Sequence, residues 1–240
     1  MTTEFFYPYP SLVAGTLVKR YKRFLADIEL ANGEMITAHC PNTGPMTGVC
    51  EVGANVYLSK SDNPKRKLAY TWEMIEINQT WVGVNTSLPN RVIKQALSEK
   101  LFPDLAPHYN TIKPEVPYGK NQKSRIDFVL TGLDTKPIYL EVKNTTLALD
   151  KLAQFPDTVT TRGQKHLQEL MDLLPDARPV MLYFINRGDC VEFAPGDAYD
   201  PVYGQLLRQA IAVGVEVMPC RFEVSPIGVR FLGMAALAIN

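Results

Sequence analysis

The chain has 240 residues, its 25 Lys and Arg balance 25 Asp and Glu, and 46% of it is hydrophobic. Such values are ordinary for a globular protein and exclude disorder, collagen and coiled coil, while the zero net charge leaves nucleic-acid binding to local clusters. No apolar run approaches the roughly 20 residues of a membrane helix, and the start M-T-T-E-F-F-Y-P-Y-P lacks a basic start and a long apolar core, so a cytoplasmic protein is expected.

Residues 1–84 read as all-β. The runs L-V-A-G-T-L-V-K-R-Y, F-L-A-D-I-E-L and M-I-T-A-H-C are separated by turn signals, among them Asn32-Gly33, a strong hairpin pair. A Pro/Gly-rich loop, a strand from Asn55 to Ser59, a polar turn and a strand from Leu68 to Ile77 follow. Five short strands without a helix predict a small barrel of the OB type. Two basic clusters lie here: Arg20, Lys22 and Arg23 beside Lys19, and Lys65, Arg66 and Lys67 leading into Tyr70 and Trp72. Cations interleaved with aromatics suit phosphates and stacked bases, although either cluster alone also fits solvated loop charge. Cys40, Cys50, Cys190 and Cys220 form no C-x-x-C pair, which argues against a zinc ribbon and leaves buried thiols as the expectation.

The second domain, residues 85–240, opens with a helix from about Asn90 to Phe102 whose apolar stripe is Val92, Ile93, Ala96, Leu97 and Leu101. A strand through Ile112, Val116 and Tyr118 is edge-like because of Pro114 and Pro117. Next comes a charged hairpin: Ile126 to Leu130 and Ile138 to Val142 flank a turn with Gly132, Asp134 and Pro137. Asp127 interrupts the first run, and strand alternation puts Glu141 and Lys143 on one face of the second. Buried charges cost several kcal/mol unless paired or bound to a cation, so this hairpin reads as a divalent-metal site or as an exposed Glu–Lys pair. Beyond it, Asp150 to Thr161 reads as a loop, and T-R-G-Q-K-H opens a helix buried through Leu167, Leu170, Met171 and Leu174. Arg162, Gln164 and Lys165 stand in its first turn, where cations oppose the helix dipole unless an anion is present. Pro179 to Ile185 reads as a buried strand, Asp200-Pro201 caps a helix ending at Gly214, and a closing hairpin turns at Ser225-Pro226-Ile227-Gly228.

Asp127, then fourteen positions on Glu141-x-Lys143, resembles the signature of the PD-(D/E)xK nuclease superfamily, and the order helix, three strands, helix, strand matches its α/β core with a mixed sheet. That resemblance implies Asp127 and Glu141 as ligands of Mg²⁺ or Mn²⁺ and Lys143 as the cation beside the polarised phosphate. Superfamily members often carry a further glutamate on the preceding helix, which here would be Glu99. Over nearly its whole length the chain also resembles the sugar fermentation stimulation protein A family, through R-Y-K-R-F-L-A-D, H-C-P-N-T-G-P-M, N-P-K-R-K-L-A-Y-T-W-E, L-E-V-K-N-T-T-L and F-P-D-T-V-T-T-R-G-Q-K-H-L. This second resemblance implies an OB-like domain joined to a nuclease-like domain, non-specific DNA binding and a role in regulating maltose metabolism. Three functions follow: a DNA binder that does not cut, a Mg²⁺-dependent nuclease, and an oligosaccharide-binding barrel, the last disfavoured by the basic clusters.

Overall fold

The computed structural model describes residues 5–132 and 136–239, so Asp134 of the expected hairpin turn lies outside the described residues. Strand β1 (Phe6–Pro8) does not join the strands that follow it; it pairs antiparallel with Gly228, Val229 and Arg230 near the other end of the chain. The barrel comprises β2 (Leu12–Tyr21), β3 (Leu25–Leu30), β4 (Met35–His39), β5 (Asn55–Lys60) and β6 (Tyr70–Ile77). Their order is β4-β3-β2-β5-β6, and a parallel pair between His39 and Thr71 brings β4 back to β6, closing the OB barrel. Closure through this pair shortens the edges that another chain could extend.

Local chemistry explains the turns. Gly33 takes φ +80°, which a residue with Cβ adopts only at a cost, and the Leu30 N–H donates to the Glu34 carbonyl across it. Leu17, Ile28, Leu58, Trp72 and Ile75 fill the interior. Trp72 thus departs from its expected role in base stacking: it is fully buried, and its indole N–H donates to the Met74 carbonyl at 2.9 Å. Strand β7 (Thr80–Gly83) leads out of the barrel, and Gly83 exchanges two hydrogen bonds of 2.9 Å with Asn186 of the second domain.

Helix α1 (Leu88–Ser98) starts and ends earlier than the expected Asn90 to Phe102, because Pro89 suits a first turn and the chain leaves the helix at Glu99. Strand β8 (Thr111–Tyr118) is the edge its prolines demand, and β9 (Ser124–Thr131) and β10 (Ile138–Thr145) form the charged hairpin. The expected loop from Asp150 to Thr161 holds a strand instead: β11 (Leu147–Leu149) turns at Asp150, φ +52°, into β12 (Leu152–Phe155). Helix α2 (Thr161–Met171), β13 (Arg178–Ile185), β14 (Glu192–Pro195), α3 (Pro201–Val213), β15 (Glu216–Ser225), β16 (Gly228–Met234) and β17 (Ala236–Leu237) complete the described chain.

The main sheet runs β1-β16-β15-β13-β10-β9-β8, with β10, β13 and β15 parallel and the remaining pairs antiparallel. Val92, Ile93, Ala96 and Leu97 of α1 pack on one face, Leu167 and Leu170 of α2 and Leu207 of α3 on the other. Central β13 is therefore buried on both sides, as its unbroken apolar run predicts. The second sheet runs β11-β12-β14-β17, and its β12 lies beside β10. Asp200 accepts from the Tyr203 N–H at 3.0 Å as the N-cap of α3, and Gly214 at φ +110° ends that helix.

Candidate functional site

Strand β9 loosens from both neighbours at one residue. Its pairing with β10 runs from Leu130 opposite Ile138 to Phe128 opposite Leu140 and then stops, and its register with β8 skips Asp127 and Glu115, the latter at φ +52°. The Asp127 carboxylate enters the opening. Its Oδ2 accepts from the Val142 backbone N–H at 2.7 Å, a donor left over where the ladder ends, and its Oδ1 accepts from Asn90 Nδ2 at 2.7 Å. Burial, followed by the charge of Glu141, pushes the Asp127 carboxyl up from 3.8 to about 6.

Glu141 is 3% exposed, so the hairpin is no exposed ion pair. Its Oε1 accepts from Lys143 Nζ at 2.6 Å and is bonded to His166 Nδ1, which lies 3.0 Å from the same ammonium. Burial opposes the Glu141 charge, but Lys143 and His166 outweigh it and hold the carboxyl below its ordinary value. Its other oxygen, Oε2, is buried and has no hydrogen-bond partner. An orphaned carboxylate oxygen is costly and asks for a cation or a donor from outside.

His166 comes from α2, whose N-cap Thr160 accepts from the Gly163 N–H at 3.1 Å. One turn earlier on that helix, Arg162 Nε approaches His166 Nε2 at 3.4 Å. His166 is not among the expected site residues, since nothing local in the sequence links it to Glu141; its one signal is its position one helical turn after Arg162. Beside this group opens a cleft of about 430 Å³ lined by Lys123, Ser124, Arg125, Arg162, Lys165 and His166. Four cations border it. Lys165 Nζ donates to Ser124 Oγ at 2.8 Å and pairs with buried Glu169 at 3.3 Å, and Arg162 is exposed.

The remaining expected residues lie elsewhere or are engaged. Gln164 Nε2 donates to both carboxylate oxygens of Asp200 at 3.0 Å, tying α2 to the start of α3 rather than facing the cleft. Glu99 is exposed at the far end of α1 from Asn90 and accepts from Gln95 at 2.8 Å, so the structure does not bring it to Asp127 and Glu141. Arg20 Nη2 donates to the carbonyls of Arg23, Asn42 and Gly44 at 2.8–2.9 Å, and Arg23 Nε to that of Thr43 at 2.6 Å. These two guanidinium groups brace the 42–44 loop. Arg66 donates to Thr71 Oγ1 at 2.7 Å, while Lys22, Lys65 and Lys67 are exposed.

The ligand set available to a cation is thus Asp127 with Glu141; among the described residues no three His, Cys, Asp or Glu side chains converge on one point. The four cysteines are free thiols, three of them buried. No helix among the described residues is long and apolar enough to cross a membrane.

Comparison with known proteins accords with this architecture. Residues 87–228 match the family described as the sugar fermentation stimulation protein RE domain, and residues 18–84 match the SfsA N-terminal OB domain. A sugar fermentation stimulation protein homolog of Synechocystis sp. is 75% identical over 236 residues, covering 98% of this chain and 100% of its own. The homolog of Crocosphaera subtropica is 68% identical and covers 99% of each. In fold, the chain is similar to Pyrococcus furiosus SfsA at a TM-score of 0.86, with 22% identity over 97% of this chain and 98% of that one. The chain belongs to the sugar fermentation stimulation protein family.

Proposed function

We propose that this protein binds DNA without sequence specificity and holds a phosphate of its backbone at the cleft beside Glu141 with the help of a divalent cation. The observation that carries this reading is the buried, partnerless Oε2 of Glu141 next to an Asp127 whose proton affinity is raised. Two hard carboxylates suit Mg²⁺ or Mn²⁺, and Asp127 keeps free lone pairs beside the two hydrogen bonds it accepts. The P. furiosus relative is described as a complex with Ca²⁺, a cation of the same oxygen-seeking class. Lys123, Arg125, Arg162 and Lys165 supply positive charge along the cleft, and none of them lies on a helix-turn-helix or finger, so backbone contacts dominate. Regulation of sugar use would rest on this binding.

Hydrolysis is the second reading, favoured by Lys143, whose ammonium sits against Glu141 where charge would develop on a bound phosphate. When bound, the cation would polarise the phosphoryl oxygen and lower the pKa of water. The chain's own contribution is orientation: His166 fixes Glu141 and Lys143, and Asn90 with Val142 fixes Asp127. Incubating the protein with plasmid and single-stranded DNA, in Mn²⁺ and in EDTA, tests both. Cation-strengthened binding supports the first reading, strand cleavage that EDTA abolishes supports the second, and absence of binding under every condition overturns both.

A further inference from the structure

Lys143 and Asn144 are adjacent in β10, so their side chains leave opposite faces of the strand. Lys143 belongs to the phosphate-facing group already described. Asn144 faces a separate, more enclosed cavity of about 150 Å³ where the barrel meets the second domain, lined by Asn42, Asn144, Thr146, Gln154, Phe155 and Asp157. Ser124 opens β9, Asn144 lies near the end of β10 with Thr146 just beyond it, and the two strands run antiparallel, so the cationic cleft and this cavity lie toward the same end of the pair.

The chemistry of the two is different. The cavity has no cationic lining, so it does not suit phosphate. It offers three carboxamides and the hydroxyls of Thr86 and Thr146, and much of their capacity is unused. The Asn144 Oδ1 accepts from Asn186 at 2.9 Å and the Asn42 Oδ1 from the Gly44 N–H at 2.9 Å, which leaves both NH₂ groups available, while the amide of Gln154 and the hydroxyl of Thr146 make no hydrogen bond among the described residues. Phe155 supplies an aromatic wall, braced by Tyr183 at 5.7 Å and Tyr203 at 5.3 Å between ring centroids. Asp157 lies against the backbone of Met46 and Thr47; burial pushes its carboxyl up from the ordinary value and those backbone groups pull it back. A small cavity without a cation, with mixed donors and acceptors around an aromatic wall, fits one planar heterocycle, well below the roughly 300–1,000 Å³ of a drug-sized pocket.

We propose that this interdomain cavity is a nucleobase subsite, which receives an unstacked base of a DNA strand whose backbone phosphate lies in the cationic cleft. The proposal rests on the DNA-binding reading above. Amides present either a donor or an acceptor to a base edge, and every base has a π-face, so the subsite adds affinity for single strands with only modest sequence preference. The barrel contributes Asn42 directly, which gives the joining of the two domains a role in binding.

The test uses the full chain in EDTA, so that no strand is cut, and reads fluorescence anisotropy with two labelled single strands of equal length, one carrying bases and one fully abasic. The parent should bind the base-carrying strand about tenfold more tightly, in the range expected when one base is seated on an aromatic side chain. Gln154→Ala and, independently, Thr146→Val should each reduce that preference severalfold without weakening the abasic strand, and Arg162→Ala should weaken both strands equally. Equal affinity of the parent for the two strands, or a preference that survives both cavity variants, overturns the base subsite while leaving backbone binding intact. Failure of both strands to bind, in EDTA and again with Mn²⁺ added, overturns the backbone reading and the subsite with it. Free nucleosides should compete only weakly at millimolar concentration; one that binds in the micromolar range would assign the cavity to a free small molecule and refute the strand proposal.

Discussion

Replacing Asp127 by Asn should stabilise the metal-free protein at neutral pH, because the ionised carboxylate is held there against burial and against the charge of Glu141. The folded state raises this carboxyl from 3.8 to about 6, so its ionisation opposes folding, and stability falls as pH rises across that interval. At about 1.4 kcal/mol for each tenfold change in proton affinity, the destabilisation is complete above about pH 6 at about 3 kcal/mol. Asparagine is an isostere of the protonated acid: its oxygen can keep the Val142 N–H while Asn90 turns its amide to accept from the new NH₂, so the variant should match the parent near pH 4 and exceed it by about 3 kcal/mol at pH 7.5. For a chain of this size that is roughly 6–12 °C in melting temperature. A cation bridging Asp127 and Glu141 removes the same repulsion in the parent: Mn²⁺ at a hundredfold over its dissociation constant should add about 2.7 kcal/mol, and the variant should lose that gain. Thermal melts of both proteins at pH 4, 5.5 and 7.5, with Mn²⁺ and with EDTA, read all of this. A variant less stable than the parent by the same amount at every pH, together with a parent indifferent to Mn²⁺, would refute both the electrostatics and the metal site.

Three further outcomes are expected. DNA affinity should fall with salt along a log–log slope of about 0.9 per duplex phosphate neutralised, with little difference between unrelated sequences, as equilibrium titrations at several salt concentrations would show. Arg162→Ala with Lys165→Ala should flatten that slope by one to two phosphates, whereas Lys65→Ala with Lys67→Ala should leave the melting temperature unchanged and reveal by titration whether the barrel adds contacts. Arg20→Ala should behave as a structural change: it strands the carbonyls of Arg23, Asn42 and Gly44 and should cost about 1–3 kcal/mol in a denaturant melt.

Legibility in the sequence followed the range of the interactions. The hairpin and its three charges could be read because strand alternation is local, and the same holds for the cap at Asp200 and the edge position of β8 with its prolines. His166 could not, because it meets Glu141 only after the crossover from β10 through α2 folds back on the sheet. Gln164 resembled its phosphate-facing neighbours until the N-cap of α3, 36 residues on, engaged its amide. Trp72 misled for a different reason: β6 is buried along most of its length, so neither face of the strand advertises itself by polarity. Strand β12 was hidden because L-A-Q-F is too short for its period to rise above the turn residues on either side.

The junction between barrel and sheet ties these pieces together and yields a last prediction. Gly83 is where β7 meets the second domain, and a Cβ there would sit 2.2 Å from Asn186 Oδ1, inside any real contact distance. Asn186 is fully buried; its amide donates to the Gly83 carbonyl and to Asn144, the neighbour of Lys143. Gly83→Ala must therefore displace Asn186, costing about 1–3 kcal/mol as overpacking does, or roughly 2–12 °C in melting temperature. Displacement should also release Asn144 and weaken binding of base-carrying strands more than of abasic ones, since the cationic cleft takes none of its lining from β10. Combining Gly83→Ala with Asn186→Ala restores the space, so the double variant should be more stable than the sum of the two single losses, a coupling of about 0.5–3 kcal/mol between residues in contact. Strict additivity in the denaturant melts would show that the two domains are not joined through this pair, and the link from barrel to Asn144 would fall with it.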